Sequence, residues 1–511
     1  MRTKNSVYNI IANLLIILLQ TILIFVVRIF FVKNLNVEYL GLQGLFNNII
    51  TMLSLADMGI SVSICFSLYE PLAKRDYNKV STIMSFFRKI YWIISGIILL
   101  IGIVMMPFIY LLTTGYTMGH LKLIFSVYAF MIATEYFLNY KEVLILADQK
   151  KYKLATINII FTFLIYISQI VVLIIFKNFI FYILSELIFK TIKIGISNIY
   201  VTRYYPQVNF YSKEKMDKKI KHKLKKNVKG MFVFKIGDYL VNGTDNIIIS
   251  KCINIGAVGI YGNYLSVISI CRHITNEIIN GITSSFGNLI VEENEKTQEN
   301  VFNIMDYINF IIVGYFFVCI FQLFNKFIMI CFGSDYLLNF RDVIIICINF
   351  YVISILLPIN SVKSAAGLYY EDRHISLIQA VINLILSLVL VQYIGLTGVL
   401  LGTTFSYLLL VTWQRPYIVY KKIFNSSFLK YLFNQLKRII LILFIVIINY
   451  LIFSWKTIPN TIIGFFINGS ICTLIYVIIM LIYSYNKKEF KYIIDMLKNK
   501  IKQHVENPKR Y

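Results

Sequence analysis

The chain has 511 residues, is 58% hydrophobic and only 15% charged, and carries a formal net charge of +25. A mean hydropathy of +0.72 excludes an ordinary soluble globular protein and places the chain among integral membrane proteins. The basic excess is not a nucleic-acid signature, because most of the 50 Lys and Arg fall in loops and tails on one side, which is the positive-inside asymmetry.

Apolar stretches of about 20 residues, the length that crosses a bilayer, recur at 8–32, 39–68, 90–113, 119–146, 155–176, 178–202, 231–253, 255–289, 304–332, 340–366, 375–393, 396–414, 437–454 and 461–483. They predict an all-α integral membrane fold of about 14 transmembrane helices. Arg2 and Lys4 precede the first span, but its length and lack of a small-residue cleavage site make it a retained helix, not a signal peptide. Both termini are expected in the cytoplasm. The seven cysteines show no CxxC spacing and read as small core residues.

The densest charge run, SKEKMDKKIKHKLKKNVKG (212–230), joins the sixth and seventh spans. Met216, Ile220, Leu224 and Val228 recur every four residues within it, which predicts an amphipathic helix on the anionic inner leaflet. The tail after Tyr485 repeats the pattern with Phe490, Ile494, Leu497, Ile501 and Val505.

That loop separates two similar halves. NVEYLGLQG (36–44) recurs as NIGAVGIYG (254–262), so Asn36, Gly41 and Gly44 match Asn254, Gly259 and Gly262 at a constant offset. Six spans per half, an even number, relate the halves by a pseudo-two-fold axis along the membrane normal. The expected organisation is an N-terminal six-helix lobe (1–203), a basic cytoplasmic amphipathic loop (204–230), a C-terminal six-helix lobe (231–415), and two extra transmembrane helices with a basic tail (416–511). A weaker echo, IGLTGVLLG, occupies 394–402.

Hydrocarbon cannot solvate polar atoms, so a helix facing an aqueous cavity carries them on one stripe. The first two helices of each half show such stripes. They are Asn13, Gln20, Thr21 and Arg28; Asn47, Thr51, Ser54 and Ser61 with Asp57; Asp238, Asn242, Asp245 and Asn246; and His273, Glu277, Asn280 and Ser284 flanked by Arg272 and Asn276. Arg272 lies near the expected midplane, where a basic side chain costs roughly 2.5–3.5 kcal/mol. Pairing with Glu277 alone is one explanation of this charge; the other is a cavity role, because the planar donor fork of arginine matches phosphate oxygens.

Glu186 and Lys190 stand i, i+4, and Lys193 continues their stripe, so internal neutralisation competes there with a cavity role. Arg28, Lys141, Lys235 and Lys363 lie near helix ends, where snorkelling to the headgroups competes in the same way. Asp57, Asp238, Asp245 and Glu277, with the amide of Asn242, suit proton or sodium sites, or balance nearby cations. No nucleophile, metal or nucleotide motif stands out. No cofactor is expected, and transport energy would come from a Na+ or H+ gradient.

The segments RTKNSVYNII and EYLGLQGLFNNIITMLSLADMGISVSICFSLYEPLAKRD (38–76), with DNIIIS (245–250), resemble the Wzx-type polysaccharide flippases of the MATE-like exporter superfamily. The resemblance spans almost the whole chain. It implies two lobes that open alternately and move an undecaprenyl-diphosphate-linked glycan to the outer leaflet of the bacterial cytoplasmic membrane. Arg28 and Arg272 would bind the diphosphate, joined by His273, Lys190 and Lys193. By the same resemblance Asp238, Asn383 and Thr403 are counterparts of a sodium site on the seventh, eleventh and twelfth helices, although the eleventh helix supplies amides rather than a carboxylate.

Membrane lipids and a polysaccharide polymerase are the other expected partners, and nucleic acid is not one. The rival readings are an organic-cation antiporter of the same fold, whose cavity should be acidic and aromatic, and a membrane glycosyltransferase or polymerase, which needs larger external loops. Replacing Arg272 with Ala is expected to reduce polymer export severalfold at normal protein level; unchanged export removes Arg272 from the mechanism.

Overall fold

The computed structural model describes residues 20, 23–53, 60–113, 120–148, 150–214, 243–366, 368–455, 459 and 461–495. Sixteen helices and no strand occur among them. They are α1 (23–34), α2 (Val37–Leu53), α3 (Ile60–Ala73), α4 (Tyr77–Leu112), α5 (Leu121–Ala147), α6 (Tyr152–Ile175), α7 (Phe179–Tyr204), α8 (Asp245–Cys252), α9 (Ile255–Glu292), α10 (Glu295–Phe332), α11 (Phe340–Ala365), α12 (Tyr369–Ile394), α13 (Leu396–Phe424), α14 (Phe428–Trp455), α15 (Ile462–Ser484) and α16 (488–495).

Among the described residues nine helices are long and apolar enough to cross a membrane. The first, second and seventh expected spans fall partly outside these residues. The sixth and eighth, α7 and α9, are helical over 26 and 38 residues but are more polar than the nine. The basic stretch 215–230 and the tail beyond 495 also lie outside.

Where helices and apolar spans differ by more than a few residues, the helix runs further. α4 begins at Tyr77 rather than 90, α10 at Glu295 rather than 304, and α14 at Phe428 rather than 437. Apolar composition reports the hydrocarbon layer, whereas a helix continues into water until its end is capped. Asp76 caps α4 by accepting from the Lys79 N–H at 3.1 Å, and Asn294 caps α10 by accepting from the Thr297 N–H at 2.9 Å. α13 continues past 414 through Pro416, and π-helical stretches at Tyr407–Val411 and Tyr420–Phe424 flank the missing backbone donor.

Contacts divide the chain into two compact units, Met1–Gly262 and Asn263–Tyr511. The border lies beyond the basic loop, within α9, because residues 243–262 pack on helices of the first half. In the first unit α4 packs on α5, α6 on α7, and α2 on both α5 and α8. Its main core gathers Ile83, Met84 and Phe87 of α4 with Leu144, Ile145 and Val201. In the second unit α10 packs on α11, α14 and α15, and α12 pairs with α13. The 394–402 echo forms that last hairpin. Gly395 turns it at φ +59°, and a Cβ on Gly402 would meet the Ser387 hydroxyl at 2.2 Å.

The matching segments 36–44 and 254–262 start α2 and α9, and these two helix starts cross. A Cβ on Gly41 would lie 2.0 Å from the Ile255 carbonyl oxygen, and one on Gly259 would lie 2.6 Å from the Val37 carbonyl oxygen. Val37 and Ile255 are themselves equivalent under the offset that relates Gly41 to Gly259. The contact is therefore reciprocal, as the axis inferred from the repeat requires. Both obstacles are backbone atoms, so no side-chain adjustment relieves them.

Two buried acids of the second unit, Asp306 and Asp372, are tied to basic partners on neighbouring helices. Asp306 accepts from Arg438 Nη1 at 2.5 Å and from Gln435 Nε2 at 3.2 Å, which joins α10 to α14. Asp372 accepts from Lys363 Nζ and from Arg415 Nε, while Arg415 also donates to Ser376 Oγ at 3.1 Å. Lys363 is 2% exposed and does not snorkel; a carboxylate nine residues away in α12 holds it inside.

Gly41→Ala and Gly259→Ala are each expected to lower stability by about 1–3 kcal/mol, the usual range for overpacking. Gly96→Ala, with nothing within 4 Å of its new methyl, is expected to change nothing beyond its helix propensity. Thermal unfolding in detergent with a folding-sensitive dye measures all three.

Candidate functional site

The first unit encloses a cavity of about 590 Å³. Its walls are built by periodicity. On α6, Thr162, Tyr166 and Gln169 stand at i, i+4 and i+7; on α7, Tyr182, Glu186, Lys190 and Lys193 stand at i, i+4, i+8 and i+11. Each set is one helical stripe. From α2 come Gln43, Asn47 and Asn48, from α8 Asn246, and from the first expected span Gln20 and Arg28.

The α2–α9 crossing positions the ends of this chamber. One turn beyond the touching glycines, Gly44 and Gly262 line the cavity. A Cβ on Gly262 would approach Arg28 Nη2 to 3.0 Å, and one on Gly44 would come within 3.8 Å of Asn246 Nδ2. Residues 28 and 246 are related by the same offset as Gly44 and Gly262, so the repeat places an arginine and an asparagine at equivalent positions of one cavity.

Among the described residues three cations, Arg28, Lys190 and Lys193, line this cavity against one carboxylate, Glu186. Glu186 Oε1 lies 2.6 Å from Lys190 Nζ, and its other oxygen accepts from Gln169 Nε2 at 3.0 Å. Gln43 is hydrogen-bonded to Tyr182, and Asn48 Nδ2 donates to the Gly243 carbonyl at 3.3 Å. Gln169 Oε1 and Asn246 Oδ1 are buried with no protein hydrogen-bond partner among the described residues. Such a surface is polar, positively charged and incompletely satisfied. It suits a hydrated anionic group that carries further hydroxyls.

The expected site residues divide among several places. Arg28, Lys190 and Lys193 come together in this cavity. Asp57, Asp238 and Asn242 lie outside the described residues. Asp245 opens α8 one residue before the cavity-lining Asn246.

Arg272, His273 and Glu277 fall in the second unit on α9, whose packed face is Cys271, Thr275 and Ile279; His273 is exposed and the other two are half-buried. Among the described residues Arg272 and Glu277 form no ion pair with each other. Asn383 and Thr403 are buried together between α12 and α13, with Asn383 Nδ2 donating to Thr403 Oγ1 at 3.0 Å. No group of three or more His, Cys, Asp or Glu that could hold a metal occurs among the described residues.

Thr162, Tyr166, Gln169 and Gln43 line the cavity without being singled out by the sequence. Their signal is present in the 162, 166, 169 spacing, which is a polar stripe made of residues that apolar spans tolerate. A second, smaller cavity of about 100 Å³ in the second unit contains the Asp306–Arg438 pair.

The sequence pattern of a family described as "Polysaccharide biosynthesis protein" matches residues 35–341, more than half of the chain. The chain belongs to this polysaccharide biosynthesis family. No curated protein matches it. Among solved structures it is similar to the lipid II flippase MurJ in an inward closed conformation, with a TM-score of 0.66 and 17% identity over 94% of this chain and 99% of that one. A multidrug resistance MATE family transporter of the MOP superfamily, inward-facing, matches with a TM-score of 0.61 and 15% identity over 80% of this chain and 98% of that one. A point mutant of the Vibrio cholerae MATE transporter VcmN matches with a TM-score of 0.58 and 12% identity over 83% of this chain and 99% of that one. At these identities the likeness shows the fold alone, a multi-pass helical fold shared with those MurJ and MATE structures.

Glu186→Gln removes the carboxylate that engages Lys190, leaving the exposed Glu135 of α5 as the other acid acting on it among the described residues. Pyrophosphate binding to the purified protein is expected to tighten about three- to tenfold at low ionic strength, and the gain should shrink as salt screens it. Calorimetry at two salt concentrations checks both parts.

Proposed function

We propose that this family member is a secondary transporter that flips undecaprenyl-diphosphate-linked oligosaccharide repeat units from the inner to the outer leaflet of a bacterial cytoplasmic membrane. The product would serve a capsule, an exopolysaccharide or an O-antigen-like polymer, with a polysaccharide polymerase as downstream partner. The observation that carries this reading is the set Arg28, Lys190 and Lys193 in one cavity with Glu186 as the single carboxylate among the described lining residues. A diphosphate offers that set several oxygens at once, while the lipid tail remains in the bilayer. Two further resemblances support the same cargo class, since the family serves polysaccharide biosynthesis and MurJ is described as a lipid II flippase.

The organic-cation antiporter is disfavoured by the sign of the charge, because a drug cation would enter a chamber already carrying an excess of positive groups. In the proposed cycle Arg272 and His273 supply further contacts from α9. A Na+ or H+ gradient drives the conformational change through Asp57, Asp238, Asn242, Asp245, Glu277, Asn383 and Thr403. Both termini lie in the cytoplasm.

Proteoliposomes loaded with a fluorescent undecaprenyl-diphosphate-linked saccharide test the proposal. Arg28→Gln and Lys193→Gln are each expected to slow flipping about tenfold or more, since each removes a charge-assisted contact of about 1.5–3 kcal/mol. Wild-type rates in both variants, or faster transport of an organic cation than of the lipid by the wild type, overturn it.

A further inference from the structure

The two walls of the first-unit cavity differ in kind. The α6–α7 side carries the charge, with Lys190, Lys193 and Glu186, and Arg28 stands beside Gly262. The α2 and α8 side carries amides and, among the described lining residues, no charge, with Gln43, Asn47, Asn48 and Asn246. The repeat makes this difference pointed. Position 246 is the equivalent of position 28, so the second half places a neutral amide where the first half places a guanidinium. Asn246 Oδ1 is buried without a protein partner among the described residues, and Asn47 is exposed to the chamber.

A carboxamide offers two donors and two acceptor lone pairs, which matches the donor-and-acceptor character of a sugar hydroxyl or an acetamido group. It has no net charge with which to select a uronate. A site built to hydrogen-bond a hydroxyl also rejects a ligand that lacks it, because its own polar groups are then left unpaired.

We propose that the amide wall is a saccharide subsite, with Asn246 and Asn47 as specificity-determining residues for the uncharged sugar next to the diphosphate. This rests on the phosphate-binding reading of Arg28, Lys190 and Lys193. The headgroup is loaded in one direction, with phosphates toward α7 and sugar toward α2 and α8. The ligand class is a polyprenyl diphosphate whose first sugars are neutral and hydroxyl- or acetamido-bearing.

The full-length protein in nanodiscs is titrated with three lipids. They are undecaprenyl diphosphate, the same lipid bearing a neutral disaccharide, and the same lipid bearing a disaccharide with one uronic acid. The wild type is expected to bind the neutral glycolipid about tenfold tighter than the sugar-free lipid, and the uronate lipid no tighter than the neutral one. Asn246→Leu and Asn47→Ala are expected to erase the sugar-dependent gain and leave the sugar-free lipid unchanged. That unchanged value also shows that the variants fold.

Equal affinity of the wild type for sugar-free and neutral lipids, a uronate lipid that binds tighter, or variants that weaken all three alike would overturn the assignment. Sugar-free binding that depends on Arg28 while the sugar gain ignores both asparagines overturns the subsite alone. Binding of all three lipids that is indifferent to Arg28→Gln overturns the phosphate reading and the subsite with it.

Discussion

Backbone contact between the starts of α2 and α9 is the constraint on which the first unit depends. In a bilayer, helices gain little from hiding apolar side chains from one another, because lipid is equally apolar, and association rests on close packing around small residues. Gly41 and Gly259 take this to its limit, since each faces the partner's carbonyl with no room for a methyl group. One turn further, the same two helices present Gly44 and Gly262 to the cavity, and these leave space for Asn246 and Arg28. Spacing set by four glycines thus determines where the polar chamber begins.

Polar groups in the two units meet their desolvation cost differently. In the second unit the acids are surrounded: Asp306 has both Arg438 and Gln435, and Asp372 has both Lys363 and Arg415. Pairing of this kind holds helices together, although Gln435 Oε1 has no partner among the described residues. In the first unit Glu186 engages one of three lining cations, and amide oxygens of Gln169 and Asn246 lack protein partners among the described residues. An incomplete network of that kind is costly in a dry interior, and a hydrated, hydrogen-bonding occupant relieves the cost.

Much of the fold was legible because hydrocarbon imposes a simple rule on composition. From the third span onward, apart from the seventh, which lies partly outside the described residues, the apolar stretches match described helices, and their errors lie at the ends where helices leave the lipid. The constant offset between 36–44 and 254–262 also told the truth about geometry, since the matched residues touch reciprocally. Stripes containing Gln20, Arg28, Asn47 and Asn246 were visible as spacing. The α6 stripe was overlooked because threonine and tyrosine pass unnoticed in an apolar span, and only Gln169 stands out there. Lys363 could not be placed by sequence for another reason: Arg415, the other cation on its carboxylate, lies 43 residues from Asp372, a distance no local pattern reveals.

The mismatch between Arg28 and Asn246 has an evolutionary corollary. A chain that doubled from a shorter ancestor began with the same residue at both places, and a chamber with twin walls accepts an elongated cargo equally well head-first or tail-first. Exchanging one side chain ends that degeneracy. Under the proposed reading, directional loading would need no added domain, only divergence of the duplicated copies at cavity positions such as this pair.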